Sequence, residues 1–247
     1  MKLIIEVCAG SYNDCITAEQ AGGDRVELNS CLSSGGITPS AGMLTKILKD
    51  TKIPVIIMVR PRPGNFVYTE NEISVMEKDI EFAVQHGAHG VAFGVLDNNG
   101  EINVNACKKL LSAAKGIETV FHRAFDLTPD PERALEICID LGIKRILTSG
   151  QKKTAIEGAE CIRRIINKAG GRIEILPAAG INPSNVEKIV KLTGCNQIHG
   201  SFSAKSHGEG RSDHPGSDYF KFGREQPATD LKTVMAMREI ADSINKL

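Results

Sequence analysis

The strongest constraint on the fold is a phrase that occurs four times: a helical stretch with an apolar stripe, a glycine, and at once a short apolar run. It appears as AEQAGGDRVEL (18–28), AVQHGAHGVAFGV (83–95), CIDLGIKRILTSG (138–150) and VKLTGCNQIHGSFS (190–203). A glycine just past the last helical residue supplies the left-handed conformation that ends a helix without a Cβ penalty. Each phrase therefore reads as helix, cap and strand. Further runs at LIIEVCA (3–9), VIIMVRP (55–61), TVFHRAF (119–125) and EILPAAG (174–180) bring the expected strands to eight. They are nearly continuous in apolar residues, as parallel strands covered on both faces are.

Helical patterns alternate with these strands, at about 12–22, 40–51, 71–87, 103–115, 130–141, 154–169, 183–193 and 230–245. Capping side chains beside a proline mark several starts, at Thr38-Pro39-Ser40, Thr128-Pro129-Asp130-Pro131 and Asn182-Pro183-Ser184. Eight strand and helix units in a chain of this length predict a single-domain (β/α)8 TIM barrel over residues 1–247. The alternative, an open doubly wound sheet, would carry GxGxxG after its first strand; this chain does not, and no nucleotide cofactor is expected. One long polar segment, about 204–229 after the eighth strand, reads as a loop and partial lid on the active face.

Thirty basic and thirty acidic residues give zero formal net charge, and no basic tract offers a track for a phosphate backbone, so nucleic acid is not an expected partner. The longest apolar runs, such as VIIMV (55–59), fall far short of the roughly 20 residues of a membrane span. The first apolar run breaks at Glu6, before a signal-peptide core forms, and an intracellular protein is expected. Seven cysteines, an odd number without CxxC spacing, argue against a disulfide framework. Cys107, Cys138 and Cys161 fall in helical patterns and read as small buried hydrophobes.

In a TIM barrel the carboxyl ends of the strands line one mouth. Strand by strand, those ends contribute Glu6 and Cys8; Glu27 and Asn29; Arg60 and Arg62; His122, Arg123 and Asp126; Thr148 and Ser149; Gly180; and His199 and Ser201. Candidate catalytic residues are Glu6, Glu27, Arg60, His122, Arg123, Asp126 and His199. Alternation sends His122 and Arg123 to opposite sides while the strand stays regular, and Glu6 and Glu27 are the acidic partners at hand. The bland alternative is that these charges merely neutralise one another. Gly180, before the helix expected at Pro183, and Gly200 with Ser201 form a candidate anion site, since amides at a helix start favour negative charge. His122 and His199 with Glu6 or Glu27 would make a mixed nitrogen and oxygen site for zinc, whereas Cys8 with Cys31 or a histidine would suit Cu(I). His207 and His214 read as solvated loop residues.

The strings DRVELNSCLSSGGITPS (24–40), RPRPGNFVYTENE (60–72), FGVLDNNGEIN (93–103), TVFHRAFD (119–126) and RILTSGQ (145–151), followed by AAGIN and IHGS, resemble the CutC family of copper homeostasis proteins, in order and over nearly the whole chain. The resemblance implies a (β/α)8 barrel, cytoplasmic location, a homodimer and copper as the ligand handled. It also marks a departure: where family members commonly have a cysteine directly after RVEL, this chain has Asn29, and its nearest cysteine is Cys31. Two readings follow. One is a copper-binding protein using thiolates; the other is a barrel enzyme in which Arg60 and Arg123 hold a small carboxylate or phosphate while Glu6 or Glu27 and His122 or His199 exchange protons. In either case the partner is a small molecule or a metal ion.

Overall fold

The computed structural model describes residues 2–206 and 226–244. Eight parallel strands form the barrel: β1 (Ile4–Ala9), β2 (Arg25–Leu28), β3 (Val55–Met58), β4 (Gly90–Phe93), β5 (Glu118–Phe121), β6 (Arg145–Thr148), β7 (Glu174–Pro177) and β8 (Gln197–Gly200). They pair in the order β7-β6-β5-β4-β3-β2-β1-β8, and β7 lies beside β8 at the seam. The helices are α1 (Tyr12–Gln20), α2 (Ala41–Asp50), α3 (Glu70–Gln85), α4 (Val104–Ala113), α5 (Pro131–Asp140), α6 (Ala159–Ala169), α7 (Val186–Thr193) and α8 (Leu231–Ile244). Among the described residues no helix is long and apolar enough to cross a membrane.

Local chemistry sets most helix starts. Ser40 caps α2, Thr69 and Glu72 form a reciprocal capping box on α3, and Asp130 accepts from two amides of α5 with Pro131 in its first turn. Two expected starts are corrected. α6 begins at Ala159 rather than near 154, and α7 at Val186 rather than Pro183, because Asn182 and Asn185 side chains fold residues 180–185 into a turn. The late start of α6 reflects a close backbone approach: a Cβ on Gly158 would lie 1.9 Å from the Ser149 carbonyl oxygen at the end of β6. Gly158→Ala is therefore expected to cost about 1–3 kcal/mol of stability, measurable as a lower urea midpoint.

The segment expected as one loop over 204–229 has strands at its described ends. These ends pair as antiparallel strands β9 (Ser203–Ser206) and β10 (Gln226–Thr229), with Ser203 opposite Thr229. The expected lid and His207 and His214 lie outside the described residues.

The main apolar core lies between strands and helices, with Ile5, Val7, Val26, Leu28, Val91, Phe93 and Phe121 meeting helix residues such as Ile47, Met76, Ile80, Leu110 and Leu135. Inside the barrel the filling is divided. A second apolar cluster, Ile56, Met58, Ala92, Val120, Leu147, Leu176 and Ala178, fills one side. The other is polar: Glu6, Arg25, Glu27, Arg145, Gln197 and His199 are all buried. The parallel register makes this network, because Glu6 stands opposite both Arg25 and His199, Cys8 opposite Glu27, and Arg145 opposite Glu174.

Candidate functional site at the barrel mouth

A cavity of about 300 Å³ opens at the carboxyl ends of the strands, with Cys8, Glu27, Arg60, His122, Arg123 and His199 in its wall and Gly180, Gly200 and Ser201 at its edge. Met58, Leu147 and Ala178 form an apolar part of the lining. The cavity thus joins a few polar groups to an apolar floor, as small-molecule sites do.

On the β8, β1 and β2 side, His199 Nδ1 lies 2.7 Å from Glu6 Oε1, and the other Glu6 oxygen takes a hydrogen bond from Arg25 Nε. Burial opposes ionisation of Glu6, but Arg25 and His199 outweigh it and hold its pKa at about 2. Burial likewise opposes the His199 imidazolium, and Glu27, Cys8 and Glu6 together carry its pKa well above the usual histidine range. The ring is therefore fixed by Glu6 with Nε2 turned toward Glu27 Oε2, 3.9 Å away. Burial raises the pKa of Cys8 and of Glu27, each opposed by His199. Asn29 donates to Glu27 Oε2 at 2.9 Å and to Cys8 Sγ at 3.6 Å, and the Cys8 thiol reaches Glu27 Oε2 at 3.8 Å. The ligand atoms of Cys8, Glu27 and His199 lie within 4.8 Å of one another. Cys31 stands apart from that cluster, exposed and hydrogen-bonded to Ser34.

The opposite wall differs from the charged network expected there. β5 ends at Phe121, and His122 caps a 3-10 helix over Arg123–Leu127, so alternation no longer governs the pair and both side chains line the cavity. His122 Nδ1 accepts from the Ala124 amide, which places the ring proton on Nε2, where it has no hydrogen-bond partner. Burial and the Arg60 guanidinium bring its pKa down to about 3. Close packing fixes the ring: a Cβ on Gly94 would lie 2.5 Å from Nδ1, and Phe66 packs with its centroid at 4.8 Å.

Arg60 makes no ion pair among the described residues. Its guanidinium donates to the carbonyl oxygens of Ser34, Gly36 and Gly64 at 2.7–3.0 Å and lies over the Phe66 ring. It thereby ties the β2–α2 and β3–α3 loops together. Arg123 is neutralised by Asp126 at 2.9 Å and also donates to Ser149 Oγ. Asp126 in turn accepts from the amides of Ser149 and Gln151 and from Thr148, so it organises the loop after β6 and orients Arg123. Gly180, expected at a helix start, instead has its carbonyl oxygen bound by Asn182 and Asn185.

Sequence reasoning missed Arg25, Arg145 and Gln197. The signal was the alternation through Arg25, Glu27 and Asn29, and through Gln197, His199 and Ser201, which puts each set on one face. Phe66 carried no such signal, because only the loop path brings it over Arg60 and His122.

Comparison with known proteins gives consistent matches. A CutC family model matches residues 3–204. A family protein CutC of Treponema denticola is 43% identical over 243 residues, covering 98% of both chains. A human copper homeostasis protein cutC homolog is 42% identical over 196 residues, 79% of this chain and 72% of the relative. A crystal structure described as a candidate copper homeostasis protein CutC, from Streptococcus agalactiae, superposes with a TM-score of 0.77 at 36% identity, covering 81% of this chain and 98% of the other.

Proposed function

The chain belongs to the CutC family, and on that premise we propose that it serves copper homeostasis by holding Cu(I) between Cys8 Sγ and His199 Nε2. The supporting observation is the convergence of Cys8, Glu27 and His199 within 4.8 Å on one cavity wall. A thiolate with an imidazole suits Cu(I), while the Glu27 carboxylate supplies a balancing negative charge. Glu6 behind Nδ1 is the kind of carboxylate that orients a metal-binding histidine. Both donors must lose a proton on loading, so affinity falls as pH falls. The cytoplasmic location and homodimer implied by the family resemblance belong to the same proposal, and sedimentation of the purified chain tests the latter.

In an anaerobic Cu(I) competition titration against a chelator of known affinity, the reduced protein and Cys31→Ser are expected to bind one ion tightly, and Cys8→Ser to lose that site. Equal binding by Cys8→Ser would sink the assignment.

A second reading is an enzyme acting on a small anionic substrate. It is favoured by Arg60, a buried cation in the cavity wall that meets carbonyl oxygens rather than a carboxylate. Isolated charge is expensive to bury, and a bound anion would compensate it.

A further inference from the structure

We propose that the barrel mouth binds a small monoanionic hydroxycarboxylate, with its carboxylate at Arg60 and His122 and its hydroxyl at Glu27; the assignment deepens, and rests on, the reading of an enzyme with an anionic substrate. The carrying observation is where unused polarity collects. Among the described residues, Glu27 Oε1, Arg60 Nε and His122 Nε2 are buried side-chain atoms without a hydrogen-bond partner, and all three residues line the same cavity. Buried polar groups are nearly always satisfied, so such a concentration around one cavity points to a ligand.

The three atoms specify complementary chemistry. Three of the five guanidinium N–H groups of Arg60 are used by carbonyl oxygens, leaving two. His122 Nε2–H is a neutral donor, its tautomer fixed by the Ala124 amide. The Tyr68 hydroxyl is another buried polar group and interacts with Arg60. These donors call for acceptor oxygens bearing negative charge. Glu27, by contrast, lines the cavity with Oε1 as an unused acceptor, since Asn29 and Cys8 both engage Oε2. It calls for a ligand O–H or N–H.

Charge and size narrow the class further. Arg123 is already neutralised by Asp126, so Arg60 is the cavity-wall guanidinium without a carboxylate partner. One unpaired cation matches a single carboxylate better than a phosphate dianion. A cavity of about 300 Å³ with Met58, Leu147 and Ala178 along it admits a few carbon atoms between the two polar ends. A short 2- or 3-hydroxy acid meets all of these requirements.

The test is an NMR titration of the full-length protein with four probes: lactate, propionate, lactamide and inorganic phosphate. Lactate is expected to bind about tenfold more tightly than propionate, the effect of one well-placed hydrogen bond to a charged acceptor, and lactamide not measurably. Glu27→Gln is expected to erase most of the lactate preference while retaining propionate binding. His122→Asn, which keeps an acceptor for the Ala124 amide, should weaken both acids alike, as should Arg60→Met. Because Arg60→Met also releases two loops, His122→Asn keeps the proposal falsifiable should that variant not fold. Equal binding of lactate and propionate, or preferential binding of phosphate, would overturn the hydroxycarboxylate assignment and leave the anion reading standing. Carboxylates that bind no better than lactamide would overturn both.

Discussion

Arg25→Met is expected to lower the free energy of unfolding by about 3–5 kcal/mol, the usual consequence of stranding one partner of a buried ion pair. Arg25 is buried on the barrel interior, donates to Glu6, and shares the Gln197 side-chain oxygen with Arg145. Without it, Glu6 keeps only His199 as a charged neighbour in hydrogen-bond contact. Its pKa, about 2 in the native protein, then rises. The pH dependence follows from that. A carboxylate with a native pKa below its unfolded value contributes stability above the unfolded value near 4.5, and loses it as pH falls toward 2. In Arg25→Met this loss should be smaller and complete at a higher pH. Adding Glu6→Gln, which still offers His199 an acceptor, should recover part of the loss in urea unfolding. A single variant within about 1 kcal/mol of the parent would show that the pair is expendable.

His122→Asn is expected to remove much of the acid sensitivity between pH 6.5 and 4.5, above the range in which the carboxylates titrate. The native pKa of His122 is about 3, against an ordinary value of 6.5, with burial the main cause and Arg60 the second. Between those two values the unfolded chain binds a proton that the native chain excludes. Stability therefore rises with pH across the window and is lost on acidification. At roughly 1.4 kcal/mol for each pH unit, the full window is worth on the order of 5 kcal/mol. Asparagine does not titrate there, yet its side-chain oxygen can still accept from the Ala124 amide as a cap. His199 acts with the opposite sign: its raised native pKa contributes stability below pH 6.5 that is lost as pH rises through the native value. Unfolding curves at pH 7, 5.5 and 4 would show the parent losing stability faster than His122→Asn. Parallel loss in both would mean that the ring is not held neutral.

The copper and hydroxy-acid proposals use opposite walls of one cavity and meet at Glu27. Cys8, Glu27 and His199 gather donors for a soft cation on one side, while Arg60 and His122 collect unused donors on the other. Glu27→Gln therefore separates them. It should remove a balancing charge from the metal site without removing its thiol or imidazole, and should remove only the hydroxyl preference from the anion site.

The eight-strand alternation was legible in the sequence because helix caps and apolar runs act locally. Glycine after a helix and a capping side chain with proline before one impose their geometry within a few residues. The mouth residues were legible too, since a strand's carboxyl end follows from its position in the repeat. Glu6, Glu27, Arg60, His122 and His199 all line or adjoin the cavity. Where the signals depended on distant backbone, they failed. Gly158 delays α6 because it meets the Ser149 carbonyl oxygen, a contact between separate stretches of chain. His122 and Arg123 share a wall because β5 stops one residue before them.

The sequence by itself determined which elements form, their order, and which strand ends carry ionisable groups, because hydrophobic period and capping chemistry are properties of neighbouring residues. Partner choice was decided only by the tertiary structure. Parallel register sets Glu6 between Arg25 and His199, and the loop path gives Arg60 three carbonyl oxygens in place of a carboxylate. Such pairings depend on atoms brought within a few ångströms by chain closure, and the pairing rather than the residue type decides whether a buried charge is spent on the fold or left for a ligand.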